Sequence, residues 1–267
     1  MLEQPVVIIT GASSGIGAAS ARLFARSGYR VVLAARRVEK LEALDKEITV
    51  EGGEAIAISV DVGKIDAIQE MVNKTLSAYG RIDVLVNNAG FGRTKWLEEL
   101  DPVTDIAAQV QVNLLGSIQS ARAVLPIMIK QESGHIINVA SLAGYIASPT
   151  YSVYAATKFG LRGFTDALRR EVGVLGIKVS AIYPGAVKTE FASHMQAERK
   201  TGITTPEALQ LTPEKVGQAI LKIANGRRSK SVVIPGISRL GLWFEMLFPR
   251  LNDWIIEQTF TKPERLD

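Results

Sequence analysis

The 267-residue sequence predicts a doubly wound α/β fold, a parallel seven-stranded sheet with helices on both faces. Three observations carry this expectation. Short β-branched runs alternate with longer segments of helical period, the pattern of parallel strands joined by right-handed crossover helices. The first run opens directly into a glycine-rich turn and a helix. Hydrophobic residues make up 47% of the chain, enough to cover both faces of such a sheet.

The elements follow in order. Val6–Thr10 leads into Thr10-Gly11-Ala12-Ser13-Ser14-Gly15-Ile16-Gly17. Glycines there let the backbone turn tightly and approach a pyrophosphate, while the next helix turns its N–H groups and dipole towards negative charge. A strand before and a helix after is the setting of a dinucleotide site; a tight turn without a ligand is the alternative. Arg30–Ala35 ends at Arg36-Arg37, with no acid before Glu39. Ala55–Ser59 precedes Asp61-Val62, where a carboxylate can accept from an amino group or cap a helix starting near Ile65. Ile82–Val86 runs into Asn87-Asn88-Ala89-Gly90, amides plus a glycine that admits close backbone approach, or an ordinary turn.

A long helix is expected around Thr104–Lys130, and within it Asn113 lies in the apolar stretch Val110–Ile118, where a buried amide needs partners. Ile136–Val139 leads to Ser141, at a strand's carboxyl end, where open α/β sheets bind ligands. In the helix Tyr151–Leu175, Tyr154 and Lys158 share a face at i and i+4, beside an apolar stripe that includes Leu161, Phe164 and Leu168. Tyrosine ionises near ~10, and a cation within about 4–6 Å lowers an acid by about 1–3 units. Lys158 is therefore expected to make Tyr154 a usable acid or base. Read alone, these three are also a surface tyrosine, a solvated lysine and a turn serine. Lys178–Tyr183 ends at Pro184-Gly185, and the irregular stretch 185–212 reads as a flap beside a site. Ser231–Ile234 completes a single domain, 1–236.

Composition excludes several chemistries. With no cysteine, disulfides and thiolate metal sites are ruled out, and with His135 and His194 as the only histidines no metal site is expected. The net charge is +4, but lysines and arginines are scattered and no basic stripe alternates with aromatics, so no nucleic-acid partner is expected. Met1-Leu2-Glu3-Gln4-Pro5 lacks the features of a signal peptide, which makes a cytoplasmic location the expectation. No repeat, low-complexity linker or apolar run of bilayer length is evident.

Taken together and in order, Thr10-to-Gly17, Asp61-Val62, Asn87-Asn88-Ala89-Gly90, Asn113, Ser141, Tyr154-x-x-x-Lys158 and Pro184-Gly185 with Thr189 resemble the short-chain dehydrogenase/reductase family over nearly the whole chain. The resemblance implies a Rossmann-like fold, NAD(H) or NADP(H), and hydride transfer between nicotinamide and an alcohol or carbonyl carbon. It makes Tyr154 the acid/base and Ser141 the group that steadies a substrate oxygen. Lys158 would bind the nicotinamide ribose and tune Tyr154, and Asn113 would support a proton relay through water. Cofactor contacts are expected at Gly11, Ser13, Ser14, Gly15, Ile16, Gly17, Arg36, Arg37, Asp61, Val62, Asn88, Ala89, Gly90, Tyr154, Lys158, Pro184, Gly185, Val187 and Thr189. An acid after the second strand suits the 2′-hydroxyl of NAD, whereas arginine suits a 2′-phosphate through charge-assisted bonds. NADP(H) is therefore the expected cofactor, with Arg36 the main contact and Arg37 a second contact or solvated. Ser14 stands where many NADP-using relatives carry a basic residue, so NAD(H) use stays open.

Phe91, Tyr145, Ile146, Tyr151 and Phe191 suggest an uncharged, bulky carbonyl or alcohol substrate, and Arg93 an anion instead. An NADP(H)-binding sensor without turnover is the alternative function. The resemblance also suggests a homodimer or homotetramer built on Thr104–Lys130 and Tyr151–Leu175. The tail, 237–267, is expected as an amphipathic extension packed on its own domain or on a neighbouring subunit, since Leu240, Trp243, Leu247, Leu251, Trp254 and Ile255 fall near helical spacing. Membrane association through 237–260 is disfavoured by its few cations.

Overall fold

Alternation of side chains along the central strands decides the architecture. In β1 (Val6–Thr10), Val6 and Ile8 face one side while Val7 and Ile9 face the other, and all four are fully buried. A strand apolar on both faces needs a layer on each. The computed structural model, which describes residues 4–191 and 210–266, shows those layers. Most of the expected flap, and His194, lie outside the described residues.

The other strands are β2 (Arg30–Ala35), β3 (Glu54–Ser59), β4 (Val84–Asn87), β5 (Gly134–Val139), β6 (Ile177–Pro184) and β7 (Ser231–Ile234). They form one seven-stranded sheet in the order β3-β2-β1-β4-β5-β6-β7, with every neighbouring pair parallel. The doubly wound fold is the one expected. β4 starts two residues later than its apolar run because the Ile82 N–H and carbonyl bond to the Gln131 side-chain amide instead of a ladder, at 3.1 and 2.9 Å.

The helices are α1 (Gly15–Arg26), α2 (Val38–Val50), α3 (Ile65–Tyr79), α4 (Pro102–Lys130), α5 (Ser152–Val172) and α6 (Pro213–Ala224). One face of the sheet packs on α3, α4 and α5 through residues such as Met71, Val124 and Leu168. The other packs on α1, α2 and α6 through Phe24, Leu41 and Ile220. By length and a mean hydropathy of 1.3, α4 passes for a membrane span. Its buried Ser117, Ser120, Ala121, Val124 and Met128 show instead a core helix of an α/β layer. Two wide π turns, Pro102–Ala107 and Gln111–Leu115, interrupt it, and Asn113 lies in the second.

The tail forms α7 (Ser238–Leu247) and α8 (Pro249–Ile256), followed by a short turn at Lys262–Arg265. Leu242 packs against the cluster around Tyr183, and Arg265 bonds Glu98 and lies 4.1 Å from the Trp96 ring centroid. Between those anchors Trp243, Met246, Leu247, Leu251 and Trp254 are exposed.

His135 belongs to this framework. Its Nε2 is 2.8 Å from Ser180 Oγ, its Nδ1 3.4 Å from the Ala224 carbonyl, and burial lowers its pKa to about 4 from 6.5. In the unfolded chain the same ring takes a proton near its ordinary value, so the unfolded state binds more protons between those two pH values and stability falls as pH drops through them. Urea unfolding at pH 7 and pH 4.5 is expected to show a loss on the order of 2–3 kcal/mol from this group, reduced in His135→Gln; equal slopes for the two proteins would place the acid sensitivity elsewhere.

Candidate active site

The strand order reverses between β1 and β4, so the turns leaving their carboxyl ends part in opposite directions and leave a crevice. The Thr10–Gly17 turn forms one wall. Gly11 and Gly15 adopt φ of +67° and +53°, and a Cβ on Gly17 would lie 2.2 Å from the Gly11 carbonyl oxygen. Only glycine fits there. The Ser14 side chain does not cap α1, which leaves its first-turn N–H groups available at the crevice under the helix dipole. That cradle, too tight for a side chain and lined with donors, fits a pyrophosphate.

The second wall is tied to the first. Thr10 Oγ1 donates to the Val86 carbonyl (3.3 Å) and accepts from the N–H groups of Asn88 (3.0 Å) and Ala89 (3.1 Å). Asn88 Nδ2 donates back to the carbonyls of Thr10 (3.0 Å) and Gly11 (3.2 Å). The Asn88 side chain, expected at the cofactor, therefore braces the turn, leaving Ala89 and Gly90 to present backbone. Asn87 points the other way, donating to the Ser117 carbonyl and to Asn138 Oδ1, while Asn138 reaches Thr165. This buried polar chain fixes β4, β5 and α5 to one another. Val62 is buried, with its carbonyl and side chain against Gly116, and Asp61 Oδ1 accepts from the Gly63 N–H in a local turn without capping α3.

Ser141, Tyr154 and Lys158 meet beyond the end of β5. Ser141 Oγ accepts from the Ala143 N–H at 3.1 Å and faces the Tyr154 phenol, whose pKa it draws downward. Lys158 Nζ donates to the Val139 carbonyl at 3.1 Å and lies 5.6 Å from the Tyr154 ring centroid. Burial pushes the Tyr154 phenol up to about 12, against the downward pull of Ser141 and with a smaller upward push from Tyr151. Burial also lowers the Lys158 ammonium to about 8. The expected lowering of Tyr154 by Lys158 is thus corrected. The ammonium is anchored to the Val139 carbonyl and lies over the ring, and desolvation is the largest influence on the phenol.

Asn113 is fully buried and clasps Phe91: its Oδ1 accepts from the Phe91 N–H (2.9 Å) and its Nδ2 donates to the Phe91 carbonyl (2.7 Å) and, at 3.4 Å, to Thr157 Oγ1. Its side-chain amide is committed to Phe91 and Thr157, so that side chain positions Phe91. A Cβ on Gly90 would lie 3.1 Å from Asn113 Oδ1 and 3.8 Å from Lys158 Nζ, which makes Gly90 the floor between them. Around Tyr154, the rings of Tyr151 and Phe191 stand at 6.3 and 5.8 Å. Tyr145 does not join them; it packs edge-on against Tyr183 at 4.7 Å beneath Arg162. Arg93 is no anion receptor either, since it and Lys95 pair with the buried Asp105 at 3.0 and 3.2 Å. Desolvation raises that carboxyl, and the Asp101 N–H with both cations outweighs it, leaving Asp105 below its ordinary value.

At the rim, Thr189 packs on Gly15, and Val187 bridges Leu211, so the two ends of the irregular stretch are joined beside the glycine turn. Pro184 is buried, and the Gly185 N–H bonds the Ile234 carbonyl at 2.8 Å. Arg36 is exposed at the end of β2. Arg37 reaches Ser13 and Ser14, a contact that spacing alone did not reveal. Thr10, Asn138, Thr165, Lys40 and Glu190 also escaped the sequence reading. Only Thr10 carried a signal there, as the last residue before the glycines.

An open parallel sheet with a glycine cradle at its switch point, and a half-buried serine with a buried tyrosine and lysine beside it, defines a class of dinucleotide-fold oxidoreductases. Residues 5–200 match the family described as short chain dehydrogenase. The chain is 38% identical over 230 residues to the 3-oxoacyl-[acyl-carrier-protein] reductase of Thermotoga maritima, covering 85% of this chain and 93% of that protein. A metagenomic short-chain oxidoreductase solved with NADP superposes with a TM-score of 0.75 at 35% identity, over 87% of this chain and 97% of its own. A short chain dehydrogenase/reductase of Burkholderia phymatum solved with NAD gives 0.83 at 26%, over 94% and 95%. The chain belongs to the short-chain dehydrogenase/reductase family.

The brace at the switch point has a direct test. Asn88→Ala leaves the Thr10 and Gly11 carbonyls without that donor and is expected to lower the unfolding free energy by about 1–3 kcal/mol with no nucleotide added. If denaturant titration shows unchanged stability and only nucleotide affinity falls, the amide is a ligand contact and not a brace.

Proposed function

We propose that this protein is an NADP(H)-dependent carbonyl reductase acting on an uncharged, largely apolar substrate. The observation that carries this reading is a buried Tyr154 phenol, raised to about 12, with Ser141 and the Lys158 cation beside it. A phenol held there is protonated at physiological pH and is poised to give a proton, which suits reduction. The bound nicotinamide supplies or takes the hydride.

The chain's own residues do the rest. Ser141 and Tyr154 donate hydrogen bonds to one substrate oxygen, fixing the carbonyl and drawing charge onto that atom. Tyr154 then passes its proton to the same oxygen. The tyrosinate left behind is buried, and Lys158 is the cation close enough to stabilise it. Asn113 holds Phe91 and thereby Gly90, the floor under both groups. Gly11, Gly15, Gly17 and the start of α1 hold the pyrophosphate, and Asp61, Ala89, Val187 and Thr189 border the same crevice. The Tyr151 and Phe191 rings beside Tyr154 favour an apolar group next to the carbonyl, in line with a relative that reduces a 3-oxoacyl substrate. Arg37, with Ser13 and Ser14, supports the preference for NADP(H), with Arg36 adding charge at the edge.

Two measurements test the reading. Tyr154→Phe is expected to lower kcat for ketone reduction by about 10²–10⁴-fold while NADPH still binds, which nucleotide fluorescence reads; near-native turnover removes Tyr154 from the chemistry. Because the Lys158 charge is lost as pH rises through about 8, kcat/KM for reduction is expected to fall above that value. A profile flat to pH 10 denies Lys158 this role. Tight NADPH binding with no turnover across a broad panel of ketones and aldehydes favours the sensor.

A further inference from the structure

One carboxylate joins three separate parts of the cofactor edge. Glu190 Oε2 accepts from Arg37 Nη1 at 2.8 Å, and Glu190 Oε1 accepts from Lys40 Nζ at 2.6 Å. Arg37 also donates to Ser13 Oγ at 3.1 and 3.0 Å and to Ser14 Oγ at 2.7 Å. Lys40 and Ser13 line one shallow cleft between α1 and α2. Glu190 follows Thr189, whose side chain packs on Gly15, so the acid is carried into place by the strand-end segment that crosses the glycine turn. A guanidinium, an ammonium and two hydroxyls thus converge where the second strand ends, and an anion with two oxygens sits on the cations. A phosphate monoester asks for the same donors.

We propose that Glu190 is an internal competitor for the 2′-phosphate of NADP(H): it holds Arg37 and Lys40, must yield them when that phosphate binds, and so limits the preference for NADP(H) over NAD(H). The proposal rests on the NADP(H) reading above and adds Lys40 and Glu190 to it. Pairing, first with Lys40 and then with Arg37, holds the Glu190 carboxyl down to about 2, so the competitor is charged at every working pH. A 2′-hydroxyl carries no charge and leaves the pairs in place. A 2′-phosphate must displace the carboxylate and then lies beside it as a second anion. All three side chains are 44–46% exposed, so solvent screens each contact and the effect is a modest multiple, not an on–off switch.

The test titrates 2′,5′-ADP and 5′-ADP into the full-length protein, wild type, Glu190→Gln and Lys40→Met, by calorimetry. Glu190→Gln is expected to tighten 2′,5′-ADP by about two- to tenfold and to leave 5′-ADP unchanged. Lys40→Met is expected to weaken 2′,5′-ADP alone, and the NADPH/NADH ratio of kcat/KM should move in the same directions. If Glu190→Gln changes both nucleotides equally, or weakens 2′,5′-ADP, Glu190 is a brace for Arg37 and the proposal falls while the cofactor reading stands. If wild-type protein binds the two nucleotides equally, the NADP(H) reading falls and takes the competitor with it. Melting temperatures of the variants, compared with wild type, identify any that fail to fold.

Discussion

The knot between Thr10 and Asn88 is the constraint on which the site depends. Parallel sheets hold their strands by ladders, but the ladder between β1 and β4 ends at Ile9 and Val86, before the functional turns begin. Beyond that point the strands would diverge freely. Thr10 Oγ1 and the Asn88 amide carry the attachment past the end of the ladder through short reciprocal bonds. They also bring Asn88 Nδ2 to 2.7 Å from where a Cβ on Gly17 would lie, which is why neither turn tolerates a larger residue there. The cradle for phosphate and the wall beside the nicotinamide are therefore one rigid object and not two neighbouring loops.

From that object the rest is placed by relay. Asn87, next to Asn88, turns into the sheet and pairs with Asn138 on β5, and Asn138 pairs with Thr165 on α5. α5 is the helix that carries Tyr154 and Lys158. Gly90, two residues past Asn88, lies between Asn113 and Lys158. Each link is a buried amide or hydroxyl whose loss would strand its partner, and such links cost more to break than an exposed bond contributes. The helix that carries Tyr154 and Lys158 thus takes its position from the glycine turn, and a chain that folds has already assembled the acid of the proposed reaction.

Legibility in the sequence follows from the range of the forces involved. The strands could be read because burial on both faces writes β-branched runs directly into the chain; their observed ends shift by no more than one or two residues, at the start of β4 because the Gln131 side chain replaces the ladder. The glycine turn could be read because positive φ and close approach exclude other residues. The electrostatics could not. Spacing places Lys158 near Tyr154, but whether the cation or desolvation governs the phenol depends on a carbonyl of β5 that no local pattern announces. In the same way Arg37, adjacent in sequence to the favoured Arg36, is the one that reaches the serines, because only three-dimensional direction separates neighbours at a strand end. Arg93 read as a free cation until folding supplied Asp105, twelve residues on.

Burial shifts Tyr154 and Lys158 in opposite directions, and this bears on how such a site runs. Desolvation disfavours both charged forms, so the phenol keeps its proton while the ammonium holds its own less firmly. Before reaction that is the correct state for a donor. Once the proton leaves, the buried phenolate and the ammonium stand in one low-dielectric pocket, where their attraction exceeds anything available at the surface. In the proposed reaction the lysine's stabilising effect is thus largest when charge develops, and an interaction stronger in the transition state than in the ground state is what lowers a barrier. A permanently lowered tyrosine would give the same proton affinity at every stage and lose that difference. On the proposed function, the raised phenol is the form of the site that suits reduction.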